Sequence, residues 1–383
     1  MHYQKKSGNS YSSYSGSAGG VYFAPGRVNL IGEHLDYNGG LVLPAAITMG
    51  VTATCIPRKD SKIILRSTTH SFNKEIFTDD EIYFNTENDW ANYPLGIIAQ
   101  LKKEKFEVPA CEIIFESNLP EGSGLSSSAA VEIVTAFALL SQSQSKTNKV
   151  WLANFCRQVE NEFVGVQCGI MDQYSIALGK KDNAVLLNCA ALTHEYIPFE
   201  LGEFKLVVMN TKKPRSLIHS KYNERKQECE EALSKIRSTK HEIRNLTETE
   251  IFWLDVLSNE VLKKRARHVI SENLRVNEAA KVLRRNDLPT FGRLMNASHA
   301  SLKNDYEVSG IELDTLVEEA QQIKNCLGAR MTGAGFGGCA IALVHHSSIE
   351  ELKNKVSEKY LSVTGINCEI YECEIGDGVR QLQ

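Results

Sequence analysis

Pro120-Glu121-Gly122-Ser123-Gly124-Leu125-Ser126-Ser127-Ser128-Ala129-Ala130 stands between two stretches of different period. Residues 110 to 116 alternate in the manner of a strand, and Ala129 to Leu140 is apolar and rich in helix formers. The order is therefore strand, glycine-serine loop, helix. Backbone N–H groups at a helix N-terminus, together with the positive end of the macrodipole, suit an anion such as a nucleotide triphosphate. No lysine follows a glycine where a Walker loop needs one, so this is a different phosphate loop. Serines at a helix start are also ordinary N-caps. Gly122 and Gly124, close together just ahead of them, favour a loop that closes on a ligand.

Toward the N-terminus, a short β-like run from Val21 to Ala24 leads through Pro25 into a polar loop, Gly26-Arg27-Val28-Asn29-Leu30-Ile31-Gly32-Glu33-His34-Leu35-Asp36-Tyr37-Asn38-Gly39-Gly40. It reads either as a surface turn around Asn38-Gly39 or as a loop reaching into a cleft. Glu33, His34 and Asp36 supply the directed donors and acceptors that a polyhydroxyl ligand needs. One histidine with two acids at this spacing fits no helical zinc motif. Toward the C-terminus, Gly328-Ala329-Arg330-Met331-Thr332-Gly333-Ala334-Gly335-Phe336-Gly337-Gly338-Cys339 contains a formal G-x-G-x-x-G. A dinucleotide fingerprint requires a strand before it and a helix after it. Here a helix is predicted over 311–326 and a strand over 340–344, which excludes that fold. The glycines instead allow close backbone approach to a ligand or to another loop.

Further helices are predicted over 146–163, 221–238, 259–283 and 288–302, and strands over 46–56, 183–188, 204–209, 339–344 and 367–373. Strands that do not alternate one-to-one with helices indicate an α+β protein. At 383 residues, 42% hydrophobic and 23% charged, the chain is long enough for two domains. A boundary near residues 190–210 divides it into 21–205 and 206–383, after a flexible Ser-, Gly- and Tyr-rich tail over 1–20. A net charge of -4 gives no basic field for nucleic acid. The tail lacks the apolar block of a signal peptide, and no segment reaches the roughly 18 apolar residues of a membrane helix, so a cytoplasmic protein is expected. Ten cysteines without a C-x-x-C pair suit reduced thiols.

The three glycine-rich motifs, in this order and at these distances, resemble the signatures of the GHMP small-molecule kinases. The first resembles the galactokinase signature at every position except Leu35, where that family usually has threonine. Agreement extends to Trp90-Ala91-Asn92-Tyr93, Gly169-Ile170-Met171-Asp172-Gln173, the run from Tyr222 to Glu231, and Ser298-His299 through Ser309, covering residues 21 to 345. The resemblance implies two α+β domains with the active site in the cleft between them. It implies Asp172 as the catalytic aspartate near the sugar's anomeric hydroxyl, with Arg27 beside it. Glu33, His34, Asp36, Gly169 and Tyr222 match sugar contacts. Gly122, Ser123, Gly124, Leu125, Ser126, Ser127 and Ser128 match the phosphate cradle, Trp90 the nucleotide site, and Ser128 and Glu160 the Mg²⁺ ligands.

The implied reaction is phosphorylation of the C1 hydroxyl of α-D-galactose by ATP with Mg²⁺; a monomer is expected. A sugar hydroxyl is a poor nucleophile at neutral pH, so a carboxylate within hydrogen-bond reach must orient it and accept its proton. Asp172 suits that role, and Arg27 would stabilise charge on the transferring phosphoryl group. A kinase for N-acetylgalactosamine shares these residues, and a related sensor binds sugar and ATP without turnover. The intact serine loop, Asp172 and Arg27 favour catalysis over the sensor. Leu35 is expected to remove a hydroxyl beside the sugar contacts. Leu95, where relatives often carry a basic residue, is expected to alter the rim of the nucleotide pocket.

Overall fold

The computed structural model describes residues 19–120, 122–213, 218–239 and 242–383. Apart from Gly19 and Gly20, the tail expected over 1–20 lies outside the described residues. The first strands are β1 (Gly20–Asn29), β2 (Leu41–Val42), β3 (Pro44–Pro57), β4 (Lys62–Ser67), β5 (Lys74–Phe77) and β6 (Cys111–Ser117). They are followed by β7 (Asn183–Asn188), β8 (Thr193–Pro198) and β9 (Phe204–Asn210). The remainder are β10 (Cys326–Thr332), β11 (Cys339–His345), β12 (Glu369–Cys373) and β13 (Arg380–Gln381).

These strands form three sheets, ordered β13-β1-β3-β6-β4-β5, β10-β11-β9-β12 and β2-β7-β8. All pairings are antiparallel except β4 with β6. Four helices, α1 (Asn92–Lys103), α2 (Ser127–Gln142), α3 (Lys149–Val159) and α4 (Met171–Leu178), pack with one another, and α2 and α4 also meet β1 and β3. The second half supplies α5 (Ile218–Thr239), α6 (Glu260–Leu283), α7 (Leu288–Ser301), α8 (Ile311–Gln321) and α9 (Ile349–Thr364). Of these, α7 and α8 lie against β10.

Two departures from the sequence reading matter for the site. The strand expected to stop at Ala24 continues through Pro25 and Gly26 to Asn29. It tolerates the proline because its register with β3 shifts between Pro25 and Arg27, an irregularity of the kind that accommodates a residue without an N–H. Arg27 consequently projects from a paired strand rather than from a loop. The helix predicted over 311–326 stops at Gln321, and β10 begins at Cys326. Its buried Arg330 and internal glycine hide the strand pattern, since sequence alternation registers only where one face is polar and exposed. The third motif thus joins two antiparallel strands, and no helix follows it. No helix among the described residues is long and apolar enough to cross a membrane. None of the ten cysteines forms a disulfide.

Candidate active site

Arg27 on β1 and Asp172 in the first turn of α4, 145 residues apart, meet as a fork. Nε donates to Oδ1 at 2.8 Å and Nη2 to Oδ2 at 2.9 Å. The remaining Nη1 donates to the Gly124 carbonyl at 2.7 Å, tying the pair to the serine loop. The Ser126 hydroxyl also donates to Asp172. Asp172 still keeps 30% of its side chain exposed, whereas Arg27 keeps 6%. The carboxylate is therefore oriented by three donors and open on its cleft side.

That cleft is a cavity of 440 Å³. Arg27, Glu33, His34, Asp36, Gly169 and Asp172 line it, as do Tyr222, Glu160, Gly122, Gly124 and the three serines. Ser123 and Leu125 do not line it; both are buried beneath the loop. Ser126 has a left-handed backbone, φ 64°, and makes no side-chain cap to α2. Its hydroxyl turns to Asp172 instead, which removes the plain N-cap reading and leaves the helix N-terminus facing the cavity. A second cavity of 290 Å³ shares Ser127 and Ser128 with the first. Trp90, Tyr93, Thr69 and His70 line it. The Trp90 indole N–H is taken by the Phe72 carbonyl at 3.2 Å, leaving the ring rather than the donor for a ligand.

The acidic residues differ in their surroundings. The Glu33 carboxylate is 1% exposed and accepts from Asn29 Nδ2 and the Gly333 N–H, each at 2.9 Å, and from Thr332 Oγ1 at 3.3 Å. Arg330 lies 2.5 Å from it. Burial raises its pKa and the arginine opposes the rise. Glu33 therefore locks the first motif to the third and retains little acceptor capacity for a sugar. Asp36 is pushed up to about 6 by burial and by Asp172, with Arg27 and the Tyr37 N–H opposing. A Cβ on Gly169 would lie 1.8 Å from Asp36 Oδ2, so any side chain here would displace the Asp36 carboxylate. His34 has φ 64°, and its Nδ1 shares a proton with the Tyr37 hydroxyl at 2.8 Å. Burial lowers it to about 3, so the ring is neutral, and the Ala334 backbone is a further neighbour of the ring. The ring packs 4.7 Å from Tyr306 and 5.8 Å from Tyr222.

Glu160 opens a π-helical turn, Glu160–Val164, after α3. It accepts from Gln173 Nε2 at 2.6 Å and from the Cys168 thiol at 3.3 Å, and the Ser128 hydroxyl also bonds to it. Burial, followed by Asp172, raises it to about 7. Neither departure from the family pattern reaches the cleft. Leu35 and Leu95 are 0% and 1% exposed and line neither cavity, which corrects the expectation that they reshape the sugar or nucleotide rim. Cys168, Asn223 and Ala334 line the first cavity without having been anticipated. Ala334 and Asn223 had sequence signals, their places in the third motif and in the run that begins at Tyr222.

Residues 9–57 match the galactokinase galactose-binding signature, residues 92–180 the GHMP kinases N terminal domain and residues 279–361 the GHMP kinases C terminal domain. The galactokinase of Staphylococcus carnosus is 46% identical over 94% of this chain and 94% of its own length. That of Clostridium acetobutylicum is 44% identical over the same shares. The crystal structure of Lactococcus lactis galactokinase complexed with galactose, 42% identical, superposes with a TM-score of 0.91 over 96% of each chain. The mevalonate kinase of Methanococcus jannaschii, 21% identical, gives a TM-score of 0.70 over 95% of this chain and 100% of its own, a likeness of fold alone. The fold is that of the GHMP kinases. Within that class, the chain belongs to the galactokinase family.

Proposed function

We infer that this ATP-dependent sugar kinase transfers the γ-phosphoryl group of ATP to the C1 hydroxyl of α-D-galactose, releasing galactose 1-phosphate and ADP. The observation that carries this is the forked Arg27–Asp172 pair, exposed to a cavity beside the uncapped start of α2. Galactose occupies the larger cavity against Asp36, His34 and Tyr222, and the nucleotide base occupies the smaller one against Trp90. The phosphates span the shared serines, where helix N–H groups and the macrodipole offset their charge. Asp172 accepts a hydrogen bond from the C1 hydroxyl and takes its proton as the oxygen bonds to the γ-phosphorus and the bond to ADP breaks. Ser126 and Arg27 hold the carboxylate in place, and Arg27 adds positive charge beside the transferring group. Glu33 acts indirectly, by fixing the loop that carries His34 and Asp36.

The site also fits Mg²⁺. Ser128 and Glu160 offer one hydroxyl and one carboxylate, enough for an ion that takes its other oxygens from phosphates and water. Glu160 makes no ion pair among the described residues, and its raised pKa reports a buried carboxylate without a counter-ion. Bound there, the ion would supply positive charge to the phosphate oxygens. A monomer in a reducing cytosol is the companion proposal; cysteines that form no disulfide suit that compartment, and sedimentation velocity tests the monomer.

The decisive experiment is ADP release with Mg-ATP against galactose, N-acetylgalactosamine, glucose, arabinose and fucose. Galactose should give the highest kcat/KM. A preference for another sugar would overturn the substrate assignment, and sugar binding without ADP release would overturn catalysis.

A further inference from the structure

Behind the serine loop lies a carboxyl that the mechanism above does not use. Glu132 sits on α2 four residues after Ser128, hence on the same helix face one turn deeper. It is 0% exposed, and neither of its carboxyl oxygens has a hydrogen-bond partner. No lysine or arginine pairs with it among the described residues, and the charged groups that face it, Glu160 and Asp172, are both acidic. An ionised carboxylate here would be a buried charge without compensation. Burial accordingly raises its pKa well above the ordinary range.

A second buried group in the same place is half-satisfied. Gln173 is 0% exposed, donates Nε2–H to Glu160 Oε2 at 2.6 Å, and its side chain neighbours the Glu132 carboxyl. Its Oε1 has no donor. Turning the amide over would aim that oxygen at the Glu160 carboxylate, acceptor against acceptor, so Glu160 fixes which way Gln173 points. A neutral carboxylic acid has one O–H to give, and Gln173 Oε1 is an acceptor with nothing to receive.

We propose that Glu132 is a positioning residue: as a neutral acid it donates its O–H to Gln173 Oε1, and Gln173 donates Nε2–H to Glu160, holding that carboxylate toward Ser128 and the cleft. The chain Glu132–Gln173–Glu160 is a support behind a metal ligand, and it rests on Glu160 holding the cation. Keeping Glu132 neutral also spares the cleft a further negative charge beside Glu160 and Asp172.

The test measures Mn²⁺ affinity of the enzyme–ADP complex by electron paramagnetic resonance, with galactose affinity by calorimetry as the control. Glu132→Met keeps the length and removes the donor; its Mn²⁺ affinity should fall about tenfold, the low end for losing a group that orients a metal ligand, with galactose affinity unchanged. Glu132→Gln restores a donor in the same shape and should bind Mn²⁺ as the natural protein does. Gln173→Leu cuts the same chain from the other end and should match Glu132→Met, which keeps the test usable should one variant not fold. Unchanged Mn²⁺ affinity in Glu132→Met, an equal loss in Glu132→Gln, or a parallel loss of galactose affinity would overturn the proposal. Glu160→Gln separates the two assignments. If it weakens Mn²⁺ while Glu132→Met does not, only the positioning role fails; if it leaves Mn²⁺ untouched, Glu160 is no ligand and both fail.

Discussion

Two carboxylates of the site carry arginines: Glu33 has Arg330, and Asp172 has Arg27. Three others, Asp36, Glu160 and Glu132, have no ion-pair partner among the described residues, and burial, aided by neighbouring acids, pushes all three upward. Ionising a carboxyl costs most where nothing compensates it, so the paired group is settled before any ligand arrives. The unpaired group needs compensation from what binds: in the proposed reaction, donors on a sugar would serve Asp36 and a cation would serve Glu160.

The contrast is most exposed at Asp172. Asp172→Ala should lower kcat about 10³-fold, within the usual range for a positioned acid or base, while ATP still binds. ADP release and calorimetry read the two quantities, and a rate near that of the natural protein would remove Asp172 from the chemistry. Gly169→Ala acts on the unpaired Asp36 by steric force, because its Cβ meets Asp36 Oδ2. Galactose KM should rise about tenfold, corresponding to roughly 1.4 kcal/mol of lost sugar binding, with a smaller change in kcat. An unchanged KM would mean that Asp36 moves without consequence and is not a sugar contact.

Asp36→Asn separates stability from binding. The folded pKa of about 6 lies above the ordinary 3.8, so the folded protein holds extra proton between those values. Stability of the sugar-free protein therefore falls as pH rises through that window, and the charge remains a cost at neutral pH. At pH 7.5 the variant should melt about 2–4 °C higher without sugar, the gap closing on acidification toward pH 4, while galactose binding is lost. A lower melting temperature at pH 7.5 would show that Asp36 is stabilising as the anion. Leu35→Thr gives the smallest effect on activity. It introduces the family's usual hydroxyl into a fully buried site, so about 1–2 kcal/mol of stability should go, read as a lower denaturant midpoint, with galactose KM unchanged. A shifted sugar preference would return Leu35 to the specificity question.

Much of this was legible in the chain. The α+β class and the strand–loop–helix at the serines were carried by local period, which depends on neighbours in sequence, and the galactokinase family by the resemblance of the motifs. Arg27 and Asp172 could be named from motifs 145 residues apart, and their fork is what a carboxylate and a guanidinium form when brought together. The direction of each side chain could not be read. Consecutive residues His34, Leu35 and Asp36 divide between cavity and core, and Ser126 turns from its helix to Asp172, because packing of distant segments sets which way each one faces. Glu33 was expected as a sugar contact, and only the fold shows that Arg330 and Thr332 of β10 also hold it. Glu132 drew no notice in the sequence of its largely apolar helix, and burial beside Gln173 and Glu160 made it a group with a proton to place. Burial and partnership are properties of the assembled fold, and they decide whether a carboxyl is a ligand, a brace or a cost.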